Sequence, residues 1–312
     1  PRQHRSMKQV PQETARMAAA GLDERFRERR RWMQALLAGT GSLALPALAQ
    51  SMDRPLDVPF VPTSDETVDR MLRMAGVGPK DYLIDLGSGD GRIVINAAKQ
   101  FGATGFGVEL NTERWKLSLR NAEKEGVADR VAFYQRDLFE TDLSKATVLT
   151  MYLLPAVNLK LRPRILSELR PGTRVVSHDF DMAEWMPDAR ADRGWTRIYL
   201  WIVPAKVDGE WAWRQPIGKG TPEFTMELRQ QFQMISGPVK IDNDPYWLMD
   251  ARLRGEEISF TVIGDAGGLR IRHEYSGRVA GNAIKGTVRM VNGDNAAPMS
   301  APWSAVRLPK KP

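Results

Sequence analysis

Three glycines in five positions, Gly87, Gly89 and Gly91, stand between a short apolar run and a stretch of helical periodicity. No other feature constrains the fold as much. Glycine lets the backbone turn sharply and approach a ligand without a Cβ clash. Amides at the start of the following helix then offer donors to an anionic group. A tight strand–helix connection favours glycine on its own account, so the turn gains its weight from what surrounds it. Asp85 precedes it, and Glu109 ends the next apolar run, 18 residues beyond Gly91. An acid at that place can accept hydrogen bonds from both ribose hydroxyls. Asp137, just after a third run, is placed to meet an adenine amino group.

The runs alternate with helical patterns. Residues 82–85, 105–109, 131–135, 147–152 and 174–178 are predicted strands, and residues 92–100, 112–125 and 157–169 are predicted helices. Such alternation implies a parallel sheet with helices on both faces. Ligands of such sheets bind beyond the carboxyl ends of the strands, near the switch point. The residues singled out above all follow strands.

Asp85-Leu86-Gly87-Ser88-Gly89-Asp90-Gly91-Arg92 resembles the first motif of class I S-adenosyl-L-methionine (AdoMet) methyltransferases. The resemblance implies a Rossmann-like fold without a bound pyrophosphate, the glycine turn packing on the methionyl and ribose parts of the cofactor. It places Asp85, Gly87, Ser88, Gly89 and Asp90 in the cofactor site. Glu109 matches the ribose-binding acid, and Asp137-Leu138 the pair beside the adenine. An NAD site fits less well, because the turn reads G-x-G-x-G and not G-x-G-x-x-G.

Residues 58–204 carry a closer resemblance. Val58-Pro59-Phe60-Val61-Pro62-Thr63, Tyr152-Leu153-Leu154-Pro155 and Ser177-His178-Asp179-Phe180 together resemble the small seven-strand protein-lysine methyltransferases of mitochondria and their bacterial relatives. This implies that Thr63 closes over the methionine end of the cofactor and that residues 152–155 floor the methyl site, with Tyr152 touching cofactor and acceptor. Tyr152, Phe60 and Asp179 are the expected catalytic residues, Phe60, Tyr152 and Phe180 serving as water-excluding walls. Methyl transfer from a sulfonium relies mainly on alignment, and no residue is an obvious general base. Each assignment has a plainer reading beside it. Pro59 and Pro62 also suit an extended linker, Tyr152 the buried end of a strand, and Asp179 and Asp181 a capped loop.

The chain has no cysteine, which removes thiolate and disulfide chemistry, and His4, His178 and His273 show no metal-ligand spacing. Its formal charge is +7, but residues 1–49 hold 9 Lys/Arg against 4 Asp/Glu, leaving a nearly neutral body. Nucleic acid is thus not the expected partner; a protein substrate is what the resemblance to the protein-lysine methyltransferases implies. Within that leader, Arg29, Arg30 and Arg31 precede Trp32-Met33, an apolar stretch over residues 35–45, and Pro46-Ala47-Leu48-Ala49. The order matches a secretory signal and resembles a twin-arginine signal, which exports folded proteins to the periplasm. Cleavage would leave Gln50 first and no transmembrane span in the mature chain. An amphipathic basic helix, and with it a cytoplasmic protein, is the alternative. Residues 1–28 read as an extension ahead of the signal.

The expected organisation is a leader over 1–49, an AdoMet methyltransferase domain over 50–205 and a β-rich accessory domain over 206–312. The last is an all-β antiparallel domain that an envelope partner would engage. Its predicted strands are residues 223–229, 247–253, 257–262, 269–275 and 284–290. Turn signals separate them: Asp208-Gly209, Ser236-Gly237, Arg254-Gly255, Ser276-Gly277, Ala280-Gly281 and Asn292-Gly293. Residues 196–203 and 210–213 are an alternative last hairpin of the first sheet. Trp211, Trp213, Trp247 and Trp303 suit a core better than a ligand cavity. Export and a cytosolic cofactor conflict, so an exported non-catalytic protein binding a small ligand or a partner on the same fold is the competing expectation.

Overall fold

Strand β1 (Tyr82–Leu86) is buried along nearly its whole length, and that fixes its place at the centre of a sheet. The structure is a computed structural model that describes residues 62–217, 220–266, 269–292 and 298–309. The leader and Phe60 lie outside the described residues. Around β1 the elements follow in order: α1 (Asp65–Met74) before it, then α2 (Arg92–Phe101), β2 (Thr104–Glu109), α3 (Thr112–Lys124), β3 (Val131–Gln135), β4 (Val148–Met151), α4 (Pro155–Glu168) and β5 (Arg174–His178). A hairpin of β6 (Ala189–Arg193) and β7 (Thr196–Ile202) completes a seven-stranded sheet of order β3-β2-β1-β4-β5-β7-β6. Strands β1 to β5 are parallel, while β7 runs antiparallel to β5. Leu83 and Val176 face one apolar layer, Ile84 and Val175 the other, as expected of strands covered by helices on both faces.

Local chemistry explains the helix starts. Ser64 caps α1, its hydroxyl accepting from Thr67 N at 3.3 Å, with Asp65 and Glu66 in the first turn. Asn111 caps α3 through two amides at 3.1 Å. Helix α4 begins at Pro155, whose missing N–H is harmless in a first turn.

The order reverses between β1 and β4, so the switch point lies where Leu86 and Met151 leave the sheet. The last hairpin differs from the alternative over residues 196–203 and 210–213. Strand β7 pairs with β6 instead. Strand β6 is a polar edge strand with four exposed residues and no apolar alternation to announce it. Residues 210–213 belong to the second sheet.

That sheet has ten strands, all paired antiparallel, running from β8 (Gly209–Arg214) to β17 (Met299–Arg307). With β9 (Glu223–Gln231), β10 (Met234–Ser236), β11 (Pro238–Ile241), β12 (Asp244–Trp247), β13 (Met249–Arg254), β14 (Glu257–Ala266), β15 (Leu269–Ala280) and β16 (Ala283–Asn292) between these two, the main path is β12-β11-β9-β8-β17-β16-β15-β14-β13, with β10 paired to β9. The edge strands β12 (Asp244–Trp247) and β13 (Met249–Arg254) are consecutive in sequence, so the sheet curls nearly into a barrel. Inward positions carry Trp211, Trp213, Phe224, Phe260, Tyr275 and Trp303, the last five packed ring on ring. Trp247 departs from the expected core role: it is 69% exposed on β12. Ser276-Gly277 is not a turn either, but lies inside β15 (Leu269–Ala280). A Cβ on Gly277 would stand 2.9 Å from the Trp303 ring, so the glycine makes room for a tryptophan two strands away in the same sheet. Asn292 ends β16 (Ala283–Asn292), and Gly293 lies outside the described residues.

The two sheets pack within one compact unit. Ala205 N donates to Gly255 O at 2.8 Å, and a Cβ on Gly255 would lie 3.0 Å from Gly172 Cα, beside the start of β5. Gln230 accepts from Val207 N and donates to Ala205 O and Phe232 O. Phe232 stacks on Trp185, their centroids 5.9 Å apart.

Candidate active site

The glycine turn folds back over β2. Gly87 N and Ser88 N both donate to Val108 O at 2.9 Å, and Gly91 N donates to Ser88 O at 2.9 Å. All three glycines have positive φ, that of Gly91 being 83°. A Cβ on Gly91 would also sit 2.6 Å from the Phe133 ring, so glycine is required there twice over. Glu109 closes the turn from beneath. Its Oε2 accepts from Gly89 N at 3.0 Å and its Oε1 from Asn111 N at 2.9 Å. Each oxygen keeps a lone pair, which is the acceptor set that two neighbouring hydroxyls need.

Asp85 lies deeper, 2% exposed, with Thr150 Oγ1 donating to its Oδ1 at 2.7 Å. Burial pushes its carboxyl up to about 7, against the Thr150 hydrogen bond and aided by the charges of Asp90 and Glu109. Asp90 is engaged by Arg92, whose Nε donates to it at 2.9 Å. Three carboxylates thus surround this turn, and the Arg92 guanidinium beside it is already paired. That charge pattern suits a cationic sulfonium nucleoside and disfavours a pyrophosphate.

Asp137 and Leu138 stand at the end of β3, partly buried. Asp137 Oδ1 accepts from Phe139 N at 2.8 Å, capping a short 3-10 turn over Leu138–Glu140. Arg164 on α4 pins that turn, donating to Phe139 O at 2.5 Å and Thr141 O at 2.7 Å while paired with Glu168.

The other side of the carboxyl edge gathers Tyr152, Asp179 and Thr63. Asp179 has φ 61°, an uncommon backbone for a residue with a Cβ. Two hydrogen bonds to the hairpin hold it: Asp179 N to Arg197 O at 2.7 Å, and Arg197 N to its Oδ1 at 2.9 Å. Its Oδ2 faces Tyr152 OH at 3.3 Å. Tyr152 also stacks with Phe180, centroids 6.0 Å apart. Thr63, 4% exposed, bonds His178 through its hydroxyl and accepts from Arg92 Nη1 at 2.7 Å through its carbonyl. The tip of the β6–β7 hairpin carries Trp195, 76% exposed, two residues from Arg197.

The structure therefore brings the cofactor-side residues Asp85, Gly87, Ser88, Gly89, Asp90, Glu109, Asp137 and Leu138 to one edge, with Thr63, Tyr152 and Asp179 along it. Asp181 points elsewhere, accepting from Ala183 N at 3.1 Å as a loop residue. Sequence reasoning gave no role to Thr150, Arg92, Asn158, Arg164 or the His178 imidazole. Buried Asn158 donates towards Ser177 Oγ, Phe180 O and Asp181 O, each at 3.3 Å, and so shapes the loop that carries Asp179. Apart from Arg92 at the motif's end, each owes its place to a contact that spans 19 or more residues, which leaves no local signal.

The chain is similar in sequence to known methyltransferases. The ANTKMT methyltransferase domain family matches residues 85–189. A protein-lysine N-methyltransferase of Saccharolobus islandicus is 50% identical over 131 residues, covering 42% of this chain and 81% of the relative. The adenine nucleotide translocase lysine N-methyltransferase of Mus musculus is 34% identical over 149 residues, 47% of this chain and 64% of the relative. A solved RNA methyltransferase of Salinibacter ruber, in complex with S-adenosyl-L-homocysteine (AdoHcy), is 54% identical over 47% of this chain and 96% of its own, with a TM-score of 0.47. By the extent and identity of the Saccharolobus match, this chain is an AdoMet-dependent methyltransferase and belongs to the class I family that contains these protein-lysine N-methyltransferases.

Proposed function

We propose that the chain methylates the side-chain amine of lysine in a protein substrate. What carries the reading is the pairing of the 50% identical lysine methyltransferase with an Asp179 carboxylate held beside the Tyr152 hydroxyl at the edge that bears the glycine turn. AdoMet supplies a methyl group on a sulfonium. Glu109 holds the ribose hydroxyls, the Asp137–Leu138 turn borders the adenine, and Asp85 offsets positive charge beneath the turn. Thr63 covers the methionine end. On the acceptor side, Asp179 and Tyr152 orient the amine, and the Tyr152 and Phe180 rings keep water away. A carbon–nitrogen bond forms as the carbon–sulfur bond breaks, AdoHcy leaves, and the amine's proton passes to solvent. A lysine must be uncharged to attack; the Tyr152 and Phe180 rings favour that state, while the Asp179 carboxylate opposes it.

Incubating the protein with methyl-labelled AdoMet and lysate from cells lacking it tests the reading. Label on lysine, located by mass spectrometry, is expected. Label that ribonuclease removes would overturn the lysine assignment.

We also propose that residues 1–49 direct export and that the second sheet engages an envelope partner. The arginine run, the apolar stretch and Ala47-Leu48-Ala49 support this. Folded export carries at most about one AdoMet per molecule, so sustained turnover then precedes export. Cell fractionation with N-terminal sequencing is expected to find Gln50 as the first residue outside the cytosol. An uncleaved cytosolic chain would refute it. Among the described residues no helix is long and apolar enough to cross a membrane.

A further inference from the structure

One imidazole stands between the two halves of the site. His178 closes β5, buried, and its ring meets three neighbours. Nδ1 lies 3.0 Å from Thr63 Oγ1, the ring face lies against Tyr152 with centroids 3.9 Å apart, and Nε2 is 3.6 Å from Asp179 Oδ2. Thr63 is gripped from its other side by Arg92, which in turn clasps Asp90 of the glycine turn. Burial pushes the imidazole below its usual pKa, with Asp179 pulling the other way, so the ring is neutral at neutral pH. With Thr63 as donor to Nδ1, the proton sits on Nε2, the nitrogen nearer the Asp179 carboxylate.

We infer that His178 is a positioning residue for methyl transfer, joining the glycine turn to the acceptor wall through Asp90, Arg92 and Thr63 and fixing Asp179 and Tyr152 beside the amine. The inference rests on the carboxyl edge being the place where AdoMet and lysine meet. His178 acts through Tyr152 by ring contact and through Asp179 by its electrostatic proximity, standing behind both site residues. Seating a ligand on the turn is then felt at the imidazole through Asp90, Arg92 and Thr63.

With three histidines in the full chain, nitrogen NMR of histidine-labelled protein reads the ring directly, and loss of one signal in His178→Asn assigns it. The expected result is the Nε2–H tautomer, with saturating AdoHcy shifting His178 and leaving His273, in the second sheet, in place. Thr63→Val and Arg92→Met, checked for folding by circular dichroism, should each abolish that shift. Thr63→Val should also weaken AdoHcy roughly two- to tenfold, the size of one neutral hydrogen bond. His178→Asn keeps an acceptor near the Nδ1 position and should bind AdoHcy more tightly than His178→Leu. A His178 signal unmoved by bound AdoHcy, an Nδ1–H tautomer, or equal affinity in the Asn and Leu variants would overturn the inference. If calorimetry finds no AdoHcy binding to the wild-type chain, the reading of the site itself falls, an outcome distinct from bound AdoHcy with a silent imidazole.

Discussion

A carboxyl group with a pKa of about 7 inside a folded protein is a standing liability, and Asp85 makes its size calculable. The unfolded chain holds this group near its ordinary 3.8. The folded state therefore binds the extra proton between those values. Stability is fully present below about pH 4 and is lost as pH rises through about 7, in all about 4 kcal/mol at 1.36 kcal/mol per pKa unit. Between about pH 5 and about pH 8 the loss is about 3 kcal/mol. Asp85→Asn keeps the shape and an acceptor for Thr150 Oγ1 but carries no charge. Urea unfolding of both proteins at the two pH values isolates the term, because other titrating groups cancel in the difference. The variant is expected to gain on the wild type by about 3 kcal/mol between the lower and the higher pH. Its AdoMet affinity should be lower and should lack the wild type's rise through neutrality, since a cationic ligand favours the ionised carboxylate. A stability difference that does not change with pH would refute the argument.

Three further outcomes follow from other groups. Glu109→Ala removes both acceptors beneath the turn and should weaken AdoMet roughly 10- to 100-fold in calorimetry while the protein stays folded; unchanged binding would exclude the ribose role. Arg164→Met frees the turn that carries Asp137 and Leu138, so AdoMet affinity should fall although, within this turn, Arg164 hydrogen-bonds only the carbonyls of Leu138, Phe139 and Thr141 and not the Asp137 carboxylate. In the second sheet, burial pushes His273 down to about 4, and neither ring nitrogen has a hydrogen-bond partner among the described residues. The unfolded state binds the proton first there, so stability falls as pH drops from about 6.5 to about 4, by up to about 3 kcal/mol. His273→Leu should abolish that fall in urea titrations.

The sequence disclosed the cofactor side far better than the acceptor side, for a physical reason. The glycine turn, Glu109 and Asp137 are each set by a strand end and the few residues after it, so local spacing encodes them. The Asp179 geometry depends on Arg197, 18 residues away on a hairpin, and on Asn158 from a helix. The Thr63–His178 contact spans 115 residues. Strand β6 escaped notice because an exposed edge strand needs no apolar alternation, and Trp247 misled because a tryptophan in a strand does not say which face it occupies.

The backbone contact of Gly172 with Gly255 has a consequence for orientation. It lies where β5 begins, whereas the glycine turn, Glu109 and Asp179 lie where strands end. With glycine on both sides of this contact the two backbones come close, and the curled sheet is seated like a pedestal under the first. Whatever holds the pedestal, the mouth opens away from it, and an acceptor must approach from the side facing outward.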